Sequence, residues 1–524
     1  MSDSMTRRDF LKASAGAAGG VSLAALAASS ARGDDRGGAV PNIVFIFADD
    51  MGYSDVDCYD SQDRYHISTP RIDAMAQDGM KFTSFYVAQS VCTPSRAGLL
   101  TGRYPKRFGC DVIYFPDSTK GIPASEITLA EALKGLGYTT GIFGKWHLGV
   151  GKAGLHHGRE QADLTAHHEF MPTEHGFDEF FGIPYSNSAG QEDHPDKGDW
   201  PYMMLIRNLR IVEQGDASMQ INQRWFTRRF TVEAIKFMRK AVAQNKPFFA
   251  YLAHPMPHVP LYVSRYFDGK SAEHARLAEH GLYADVIEEI DWSVGKVLDE
   301  LKRLGIDENT IVVFTSDNGP WLLKYPDCGS AREFSNRTTL RSEAGDKKAK
   351  GTCFEGGLRV PLVVRWPGQI APGSVNDEPA CAFDWFPTFV NLAGGALATD
   401  RDYDGRDITG VLKGTGSRNS ESDPFKFFYY RWQYSRNENQ RRSLLMAYRK
   451  GNYKIMPAWS GRGMGGRSWN LPDQLYDLST ENGRKELWND PSSNLLKTSD
   501  PAHRATYDAL KAEYDDWRTN VIPE

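Results

Sequence analysis

Apolar segments rich in β-branched and aromatic residues alternate with helical segments along much of the chain, and this alternation constrains the fold more than any other feature. Residues 42–48 are almost continuously apolar, which is typical of a strand buried on both faces of a sheet. Similar segments at residues 138–143, 248–252 and 311–315 each follow a helical segment. Strands that alternate with helices predict an α/β fold with a doubly wound, mostly parallel sheet.

Capping signals mark the helical segments. Thr128 and Glu131 form a capping-box pattern, and Thr69 stands as a candidate N-cap before a proline. A further strand is expected at residues 82–88. Pro94 then suits the first turn of the helix that follows this strand.

After about residue 415 the pattern changes to short aromatic strands that lie close together. Strands are expected at residues 427–432, 444–449 and 453–456, and a final helix at residues 501–518. Closely spaced strands favour a small antiparallel sheet. A chain of 524 residues is long enough for one large domain and an appendage. We therefore predict a main, site-bearing domain over residues 40–415 and a C-terminal α+β subdomain over residues 416–524.

Residues 1–31 match neither domain. Arg7 and Arg8 precede a stretch rich in Ala, Gly and Leu that runs to about Ala28, and this arrangement resembles a twin-arginine export signal. The stretch is too short and too rich in Gly and Ser to span a bilayer stably, and no other apolar run approaches its length. We expect a twin-arginine signal peptide, a periplasmic or extracellular protein, and no stable membrane insertion.

The net charge of the chain is -5 at pH 7, so no overall field favours nucleic acid or an anionic membrane. An anionic ligand would therefore have to be held by local cations. Six cysteines in a chain of this length do not indicate a disulfide scaffold. Their connectivity cannot be deduced from the sequence.

Side chains that can bind metals or take part in catalysis follow each predicted strand. They are Asp49 and Asp50, Cys92 and Arg96, Lys145 and His147, His254 and His258, and Asp317 and Asn318. In open α/β sheets, ligands bind beyond the carboxyl ends of the strands. Each group alone is a weak signal, but together they predict one site at one edge of the sheet.

Two of these pairs offer hard oxygen ligands, and they are Asp49 with Asp50 and Asp317 with Asn318. Such ligands suit Ca²⁺ or Mg²⁺ better than Zn²⁺. Taken separately, each pair is more typical of a turn or a helix cap. Because both follow deeply apolar strands, their charges would need a cation. Cys92 lies near a predicted helix N-terminus, which stabilises anions, although a lone cysteine is more often a buried structural residue.

Residues 92–103 have the sequence C-T-P-S-R-A-G-L-L-T-G-R and match the whole motif C-x-P-S-R-x-x-L-L-T-G-R. On this ground the chain resembles the sulfatase family, and the resemblance extends from residue 42 to about residue 395 and more weakly beyond. It implies an alkaline-phosphatase-like α/β fold with a smaller C-terminal antiparallel sheet. It also implies that a formylglycine-generating enzyme oxidises Cys92 to formylglycine, whose hydrated aldehyde is the nucleophile.

The resemblance implies a role for each site residue. The implied ligands of a single divalent ion, Ca²⁺ rather than Mg²⁺, are Asp49, Asp50, Asp317, Asn318 and the modified Cys92. Arg96 would orient the formylglycine hydrate, and Lys145 and His147 would hold it and later help to release sulfate. His258 would contact the sulfate and assist the leaving oxygen. Lys350 would bind sulfate.

The substrate side of the site is expected to hold sulfate through several groups. Lys145 and Lys350 can neutralise the sulfuryl oxygens as charge moves during transfer. Residues 176–186 resemble arylsulfatase A and N-acetylgalactosamine-6-sulfatase and mark Ser186 as a sulfate-side contact. Trp321 is the candidate substrate-facing aromatic residue, with loop packing as an equal alternative.

Some assignments stay open. His258 is favoured over His254 by its position in the motif. Lys347 and Lys348 crowd Lys350, and a solvated loop face is the alternative for all three.

The long polar segment at residues 321–350 is either an active-site lid or a mobile surface loop. Cys353 is interpreted as a packing residue. Four further histidines receive no role, and they are His156, His157, His167 and His168.

These features predict an exo-acting enzyme that hydrolyses sulfate esters of a saccharide or a small aryl group in a moderately deep pocket. One alternative is a phosphomonoester or phosphodiester hydrolase of the same superfamily, although such enzymes usually use Ser or Thr at two zinc ions. Another is a catalytically inactive glycan-binding protein, whose 12 Trp and 23 Tyr residues could stack on sugars. The complete set of motif residues favours the sulfatase prediction.

Overall fold

The computed structural model describes residues 40–59, 67–273, 281–324, 327–331, 334, 348–433, 441–462, 468–487 and 490–522. The predicted export signal at residues 1–31 lies outside the described residues, and so does Lys347. Much of the segment at residues 321–350 also lies outside them, so its role as a lid or surface loop stays a prediction.

A mixed sheet forms the centre of the main domain. The strands up to residue 381 are β1 (Asn42–Ala48), β2 (Met80–Phe82), β3 (Phe85–Tyr86), β4 (Thr139–Lys145), β5 (Glu179–Ile183), β6 (Met204–Arg207), β7 (Arg210–Gln214), β8 (Phe248–Ala253), β9 (Thr310–Ser316), β10 (Leu362–Arg365), β11 (Ser374–Asn376) and β12 (Ala380–Cys381). Ten of them form one sheet in the order β11-β2-β10-β9-β1-β8-β4-β5-β6-β7. The five neighbours β9-β1-β8-β4-β5 are parallel throughout, which confirms the mostly parallel sheet.

Helices cover both faces of this sheet. In the described part of the chain the helices are α1 (Pro70–Gln77), α2 (Cys92–Thr101), α3 (Leu129–Gly135), α4 (Glu160–Ala166), α5 (Phe226–Ala243), α6 (Gly281–Leu304), α7 (Glu355–Leu358), α8 (Trp385–Leu392), α9 (Thr409–Leu412), α10 (Glu481–Lys485) and α11 (Pro501–Asp516), of which α10 and α11 belong to the C-terminal part. Val44 and Ile46 of β1 pack into the core that includes α1, α5 and α6. Phe45 and Phe47 pack into the core that includes α2, α3 and α8. Because alternate residues of one strand enter different cores, the sheet is doubly wound.

The strand predicted at residues 82–88 is wrong in extent. Its first part belongs to β2, which pairs with β10 in the central sheet, whereas β3 pairs with β12 in a separate two-stranded sheet. The backbone N–H of Val87 donates instead to the carbonyl of Leu358. Cys92 therefore does not follow a central strand. It reaches the site as the first residue of α2.

The two predicted helix starts have different outcomes. The capping box is confirmed, because the Thr128 hydroxyl accepts the Glu131 N–H at 3.1 Å and the Glu131 carboxylate accepts the Thr128 N–H at 2.8 Å. Thr69 precedes α1 as predicted but makes no side-chain cap. Its hydroxyl instead accepts the N–H of Asp57 and donates to Asp73.

The C-terminal part contains the predicted antiparallel sheet. Its strands are β13 (Lys426–Gln433), β14 (Arg442–Lys450), β15 (Tyr453–Met456), β16 (Trp459–Arg462), β17 (Ser468–Leu471) and β18 (Gln474–Asp477). Four of them form a sheet in the order β13-β14-β15-β18, and β16 and β17 form a hairpin. Helix α11 continues into one π-helical turn over Trp517–Val521. The sheet confirms the predicted architecture, while the division at residue 415 stays a prediction.

The C-terminal sheet packs directly on the main domain. Phe427 of β13 lies in the same core as Tyr104 and Phe383, and its ring centroid is 6.1 Å from that of Tyr104. Within the described part of the chain, no helix combines the length and apolar character needed to cross a bilayer.

Candidate active site

Three loops after neighbouring parallel strands converge with the N-terminus of α2. Asp49 and Asp50 follow β1, Lys145 ends β4, and Asp317 follows β9. The registers align these strand ends, with Ala48 of β1 opposite Ser316 of β9. Two of the loop residues, Asp50 and His147, have positive φ angles of 67° and 61°. Such left-handed backbone is uncommon outside glycine and is frequent at functional sites.

Buried ion pairs surround Asp49. The Nζ of Lys145 lies 2.5 Å from Asp49 Oδ2, and Nη2 of Arg96 lies 3.7 Å from the same oxygen. Nη2 of Arg96 also donates to Asp317 Oδ2 at 2.8 Å. All four side chains are completely buried. Removing any one of them would therefore leave an uncompensated charge out of contact with water.

The two carboxylates respond differently to this environment. Burial acts to raise the pKa of Asp49, but Lys145, with smaller effects of His258, Arg96 and Lys350, brings that pKa well below its usual range. Burial and the charge of Asp49 raise the pKa of Asp317 to about 7. Asp49 is therefore stabilised as a carboxylate mainly by Lys145, whereas Asp317 beside it is harder to ionise.

Cys92 lies between a carboxylate and an ammonium group. Its Sγ is 3.5 Å from Asp49 Oδ1 and 3.3 Å from the Nζ of Lys350. The Nζ of Lys350 also forms a buried ion pair with Asp50 Oδ1. Burial raises the pKa of the Cys92 thiol to about 12. The unmodified thiol is therefore protonated at neutral pH and a poor nucleophile.

The residues at this edge fit a hard divalent cation. One ligand atom from each of Asp49, Asp50, Cys92 and His258 lies within 4.8 Å of the others. Two buried oxygens, Asp50 Oδ2 and Asn318 Oδ1, have no hydrogen-bond partner among the described residues. The amide nitrogen of Asn318 donates to Asp50 Oδ1 at 2.7 Å, which leaves its oxygen free to bind a cation. Unpaired buried oxygens are costly, and a cation would satisfy them.

Asp317 sits beside this group rather than within it. Its Oδ1 accepts the backbone N–H of Asp50 at 3.1 Å, and its Oδ2 accepts from Arg96. Its predicted role as a ligand stays a prediction, and His258 joins the group of possible ligands, which the sequence did not predict.

The histidines after β8 occupy different positions. His258 Nδ1 lies 2.6 Å from the Val259 carbonyl, which identifies Nδ1 as the protonated nitrogen, and Nε2 lies 3.7 Å from Asp50 Oδ2. His254 Nε2 instead lies 3.0 Å from the Ser293 hydroxyl of α6. Burial, with a smaller effect of Lys350, lowers the pKa of His258 to about 4. His258 is therefore the one of the two that reaches the cluster.

His147 is held as a neutral ring. Its Nε2 lies 2.9 Å from the carbonyl of Tyr114, so Nε2 carries the proton. Its Nδ1 has no partner among the residues described. Burial, then Lys145 and Arg96, lower the pKa of His147 well below the usual value. The free Nδ1 is thus available as a proton acceptor.

The two predicted substrate-side residues both lie beside His258. The ring centroid of Trp321 is 5.6 Å from that of His258, and the Nζ of Lys350 is 5.0 Å from the Trp321 ring. The Ser186 hydroxyl is 3.4 Å from His258 Nδ1. Trp321 therefore lies beside two predicted site residues, and its contact with a substrate stays a prediction.

The alternative of a solvated loop face is wrong for two of the lysines. Lys350 is buried in the site, and Lys348 is buried with its Nζ donating to the carbonyls of Lys485 and Glu486 at 2.8 and 2.9 Å. Cys353 packs in the core as predicted. All six cysteines carry free thiols.

The sequence did not identify some residues that hold the site together. The side-chain amide of Asn187 is buried and donates to the carbonyls of His258 and Pro260 at 3.2 and 3.0 Å. The carbonyl of Tyr114 fixes the tautomer of His147. Neither contact has a sequence signal, because each joins segments that meet only in the folded chain.

Comparison with known proteins agrees with this geometry. The family model described as Sulfatase matches residues 41–396, and the one described as N-sulphoglucosamine sulphohydrolase, C-terminal matches residues 346–496. Arylsulfatase A of Homo sapiens is 37% identical over 403 residues, which cover 74% of this chain and 70% of that protein. N-acetylgalactosamine-6-sulfatase of Mus musculus is 38% identical over 429 residues, which cover 79% and 71%.

The fold agrees as well. The crystal structure of Ps i-CgsB matches with a TM-score of 0.70 and 27% identity, and the match covers 92% of this chain and 93% of that one. Arylsulfatase A and N-acetylgalactosamine-6-sulfatase are sulfuric ester hydrolases. This chain therefore belongs to the sulfatase family and is a sulfuric ester hydrolase.

Proposed function

We propose that this enzyme cleaves sulfate esters with a formylglycine derived from Cys92, beside a single divalent cation that is Ca²⁺ rather than Mg²⁺. The observation that carries the proposal is the position of Cys92. Its Sγ lies within 3.5 Å of both a carboxylate and an ammonium group, at the first turn of a buried helix. The motif of residues 92–103 and the match of the chain to the sulfatase family support the modification of this side chain to formylglycine.

Formylglycine would supply a hydrated aldehyde whose oxygen attacks sulfur. A cation beside it would make that oxygen more acidic and therefore a better nucleophile. Asp49, Asp50 and Asn318 would hold the cation through oxygens, with Asp317 close by. An oxygen-rich set of this kind supports Ca²⁺ over Zn²⁺.

Arg96, Lys145 and Lys350 would orient position 92 and stabilise negative charge during the reaction. Arg96 is fixed by Asp317 and by the carbonyl of Lys145 at 3.3 Å, so it can orient position 92 without moving. The ammonium groups of Lys145 and Lys350 flank Cys92 from the sides of Asp49 and Asp50. They can stabilise the negative charge on the sulfuryl oxygens as the ester bond breaks.

Two histidines would move protons. The free Nδ1 of His147 can take a proton from the nucleophilic side. The Nε2 of His258 faces the cluster and, when protonated, can donate to the ester oxygen that leaves. Ser186 would keep the His258 ring in place or contact sulfate directly.

A sulfated saccharide is our preferred substrate, and an aryl sulfate is the second choice. The relative N-acetylgalactosamine-6-sulfatase acts on a sugar by its name. Ps i-CgsB, at 26% identity, was solved in complex with k-i-k-neocarrahexaose. Trp321, beside His258 and Lys350, offers an aromatic face of the kind on which sugars stack.

We also propose export and maturation. Arg7 and Arg8 support export by the twin-arginine pathway to the periplasm or the cell exterior. A formylglycine-generating enzyme would be the partner during maturation, because the modification of Cys92 requires one.

The test is mass spectrometry of the peptide that contains Cys92, from protein produced together with a formylglycine-generating enzyme. We expect this peptide to have lost its sulfur atom, and we expect Cys92→Ala to remain folded but release no sulfate. An intact thiol in fully active enzyme would rule out the proposed nucleophile. Release of phosphate instead of sulfate would support a phosphatase, and glycan binding without turnover would support an inactive binding protein.

A further inference from the structure

The buried residues Asp49, Asp50, Cys92, Lys145, His258 and Lys350 are called the catalytic group. A second buried cluster of charges lies outside it. Its centre is Lys454 of β15, whose Nζ lies 2.6 Å from Glu486 Oε1 and 3.2 Å from Glu355 Oε1. The side chains of all three residues are completely inaccessible to solvent. Lys454 and Glu486 belong to the C-terminal part of the chain, whereas Glu355 begins α7 of the main domain.

The cluster binds the segment that carries Lys350 at both of its ends. On one side, Lys348 Nζ donates to the carbonyls of Lys485 and Glu486. On the other side, Lys454 Nζ donates to the carbonyl of Cys353 at 2.7 Å. The N–H of Glu355 donates to Glu486 Oε2 at 2.6 Å. Residues 348–355 are therefore anchored by the C-terminal subdomain on both sides of Lys350.

The middle of the same segment is fixed by the main domain. The N–H of Lys350 donates to the carbonyl of Pro320 at 3.1 Å, and that of Gly351 donates to the carbonyl of Ser90 at 2.8 Å. Ser90 lies two residues before Cys92. The backbone of Lys350 is thus held between the loop of Cys92 and the C-terminal cluster.

The backbone at Glu486 indicates that its side chain is needed. Glu486 has a φ of 50°, a left-handed conformation that glycine adopts more easily than any other residue. A glutamate persists there only when its surroundings require it. Its carboxylate and its carbonyl both contact the anchored segment or its partner Lys454.

The ammonium group of Lys454 lies between two carboxylates and partly offsets the burial and the charge of Glu355, which together raise the pKa of Glu486 to about 7. Burial acts to lower the pKa of Lys454, but Glu486 and Glu355 outweigh burial and raise that pKa above its usual value, so the ammonium group stays charged. Glu355 also accepts hydrogen bonds from Tyr86 at 2.5 Å and Tyr429 at 3.3 Å. A buried cation with satisfied partners has one low-energy arrangement, which makes it a rigid support.

We infer that Lys454 and Glu486 are positioning residues for Lys350. Through Lys348, Cys353 and Glu355 they set the path of the backbone that brings the Lys350 ammonium group beside Asp50 and Cys92. This inference rests on the proposed role of Lys350 in sulfate binding. The C-terminal subdomain then contributes to the affinity for sulfate without touching it.

The experiment compares Glu486→Gln with two control variants. Glu513→Gln removes a carboxylate of the same subdomain that contacts Lys450 and Tyr448 but not the anchored segment. Ile455→Ala opens a cavity next to Lys454 in β15 and lowers the melting temperature without removing any of these polar contacts. The inhibition constant of inorganic sulfate is measured with nitrophenyl sulfate as substrate.

For Glu486→Gln we expect the sulfate inhibition constant and KM to rise together by about tenfold, since coupling through packed residues is commonly of that size. Both controls should keep the inhibition constant of the wild type. Lys454→Arg, which retains the charge, should restore part of the affinity that Lys454→Met loses. If the sulfate inhibition constant of Glu486→Gln equals that of the wild type while its melting temperature falls as in Ile455→Ala, the cluster is only a structural anchor. That result would overturn the inference.

A second measurement separates this inference from the proposed function. Hydrogen–deuterium exchange of residues 348–358 should be faster in Glu486→Gln than in either control. If the wild-type enzyme releases no sulfate from any ester, the proposed function fails, yet the exchange comparison still decides the inference. Equal exchange of this segment in all the variants would overturn it.

Discussion

At the scale of single residues, the clearest contrast is between the two histidines that follow β8. Both are buried, yet His258 turns Nε2 toward Asp50 whereas His254 turns Nε2 toward Ser293 of α6. A proton donor must come within hydrogen-bond reach of the oxygen that it protonates. Only the geometry of His258 suits a donor on the side of the catalytic group.

This contrast predicts how the two positions respond to the leaving group of the substrate. His258→Ala should lower kcat/KM for a sugar or alkyl sulfate by about 10²- to 10⁴-fold, the usual contribution of a general acid. The loss should be much smaller for nitrophenyl sulfate, because its leaving oxygen is a weak base and needs little protonation. Steady-state kinetics with both substrates measures the difference.

His254→Ala is the matched control, since it removes an equally buried imidazole that lies outside the cluster. It should lower the melting temperature and leave the ratio of the two kcat/KM values unchanged. An equal loss on both substrates in His258→Ala would show that His258 is not the proton donor.

Sequence rules at this scale found the residues that carry charge but not those that orient them. Asp49 and Asp317 follow buried parallel strands and Lys145 ends one, and the rule on strand ends predicts from local pattern alone that they meet. Asn187 and Glu486 act through backbone groups of distant segments. No local pattern encodes such contacts, because they depend on how separate loops pack.

At the scale of elements, α1 shows how tertiary contacts replace a local cap. Thr69 occupies the N-cap position, but its side chain makes no capping hydrogen bond. Asp291 of α6 accepts the N–H groups of Arg71 and Ile72 at 2.9 and 2.8 Å. A carboxylate suits a helix N-terminus because it faces unpaired N–H groups and the positive end of the helix dipole. The sequence predicted the start of α1 and its N-cap position at Thr69 correctly, but it did not predict that a carboxylate of a distant helix accepts the first N–H groups.

The cap predicts a pH-dependent contribution to stability. Burial raises the pKa of Asp291 from 3.8 to about 7, so between these pH values the folded state holds a proton that the unfolded state has released. This contribution is fully present below about pH 4 and is lost as the pH rises toward 7. Asp291→Asn keeps the accepting oxygen but cannot titrate. The melting temperature of Asp291→Asn relative to wild type should therefore rise between about pH 5 and pH 8.

Asp299→Asn is the control for this experiment. Asp299 lies on the same helix and pairs with Arg71 at 3.3 Å, but its side chain is about half exposed. The melting temperature of Asp299→Asn should follow that of the wild type across the same pH range, because exposed ion pairs contribute little to stability. A constant difference between Asp291→Asn and wild type at every pH would contradict the raised pKa.

At the scale of the whole molecule, the sequence did not predict the order of strands in the central sheet or the contacts that the C-terminal subdomain makes with the segment around Lys350. Alternating helices and strands predicted a parallel sheet, since a helix between two strands provides the long crossover that parallel pairing requires. They did not predict that β3 leaves this sheet, whereas the helix N-terminus at Cys92 was predicted and is confirmed. They also did not predict that Lys454 supports the segment of Lys350, because these residues lie about a hundred positions apart.

A cation bound by the carboxylates of the proposed site would couple to the stability of the entire fold. These carboxylates come from loops after β1 and β9 in the middle of the central sheet, and two buried oxygens of the site have no partner among the described residues. A ligand that binds only the folded state stabilises it, by about 2.7 kcal/mol at a free concentration a hundred times its Kd. We therefore expect Ca²⁺ to raise the melting temperature of protein treated with a chelator, and Mg²⁺ to raise it less.

Asn318→Ala should lose most of this increase, because it removes an uncharged oxygen ligand without altering the charge of the site. His254→Ala should retain the full increase relative to its own chelated form, since His254 lies outside the ligand set. Scanning calorimetry in chelator, Ca²⁺ and Mg²⁺ provides the measurement. Identical melting temperatures of the wild type in chelator and in Ca²⁺ would contradict a cation at this site, since a bound ion that satisfies buried carboxylates cannot leave the folding equilibrium unchanged.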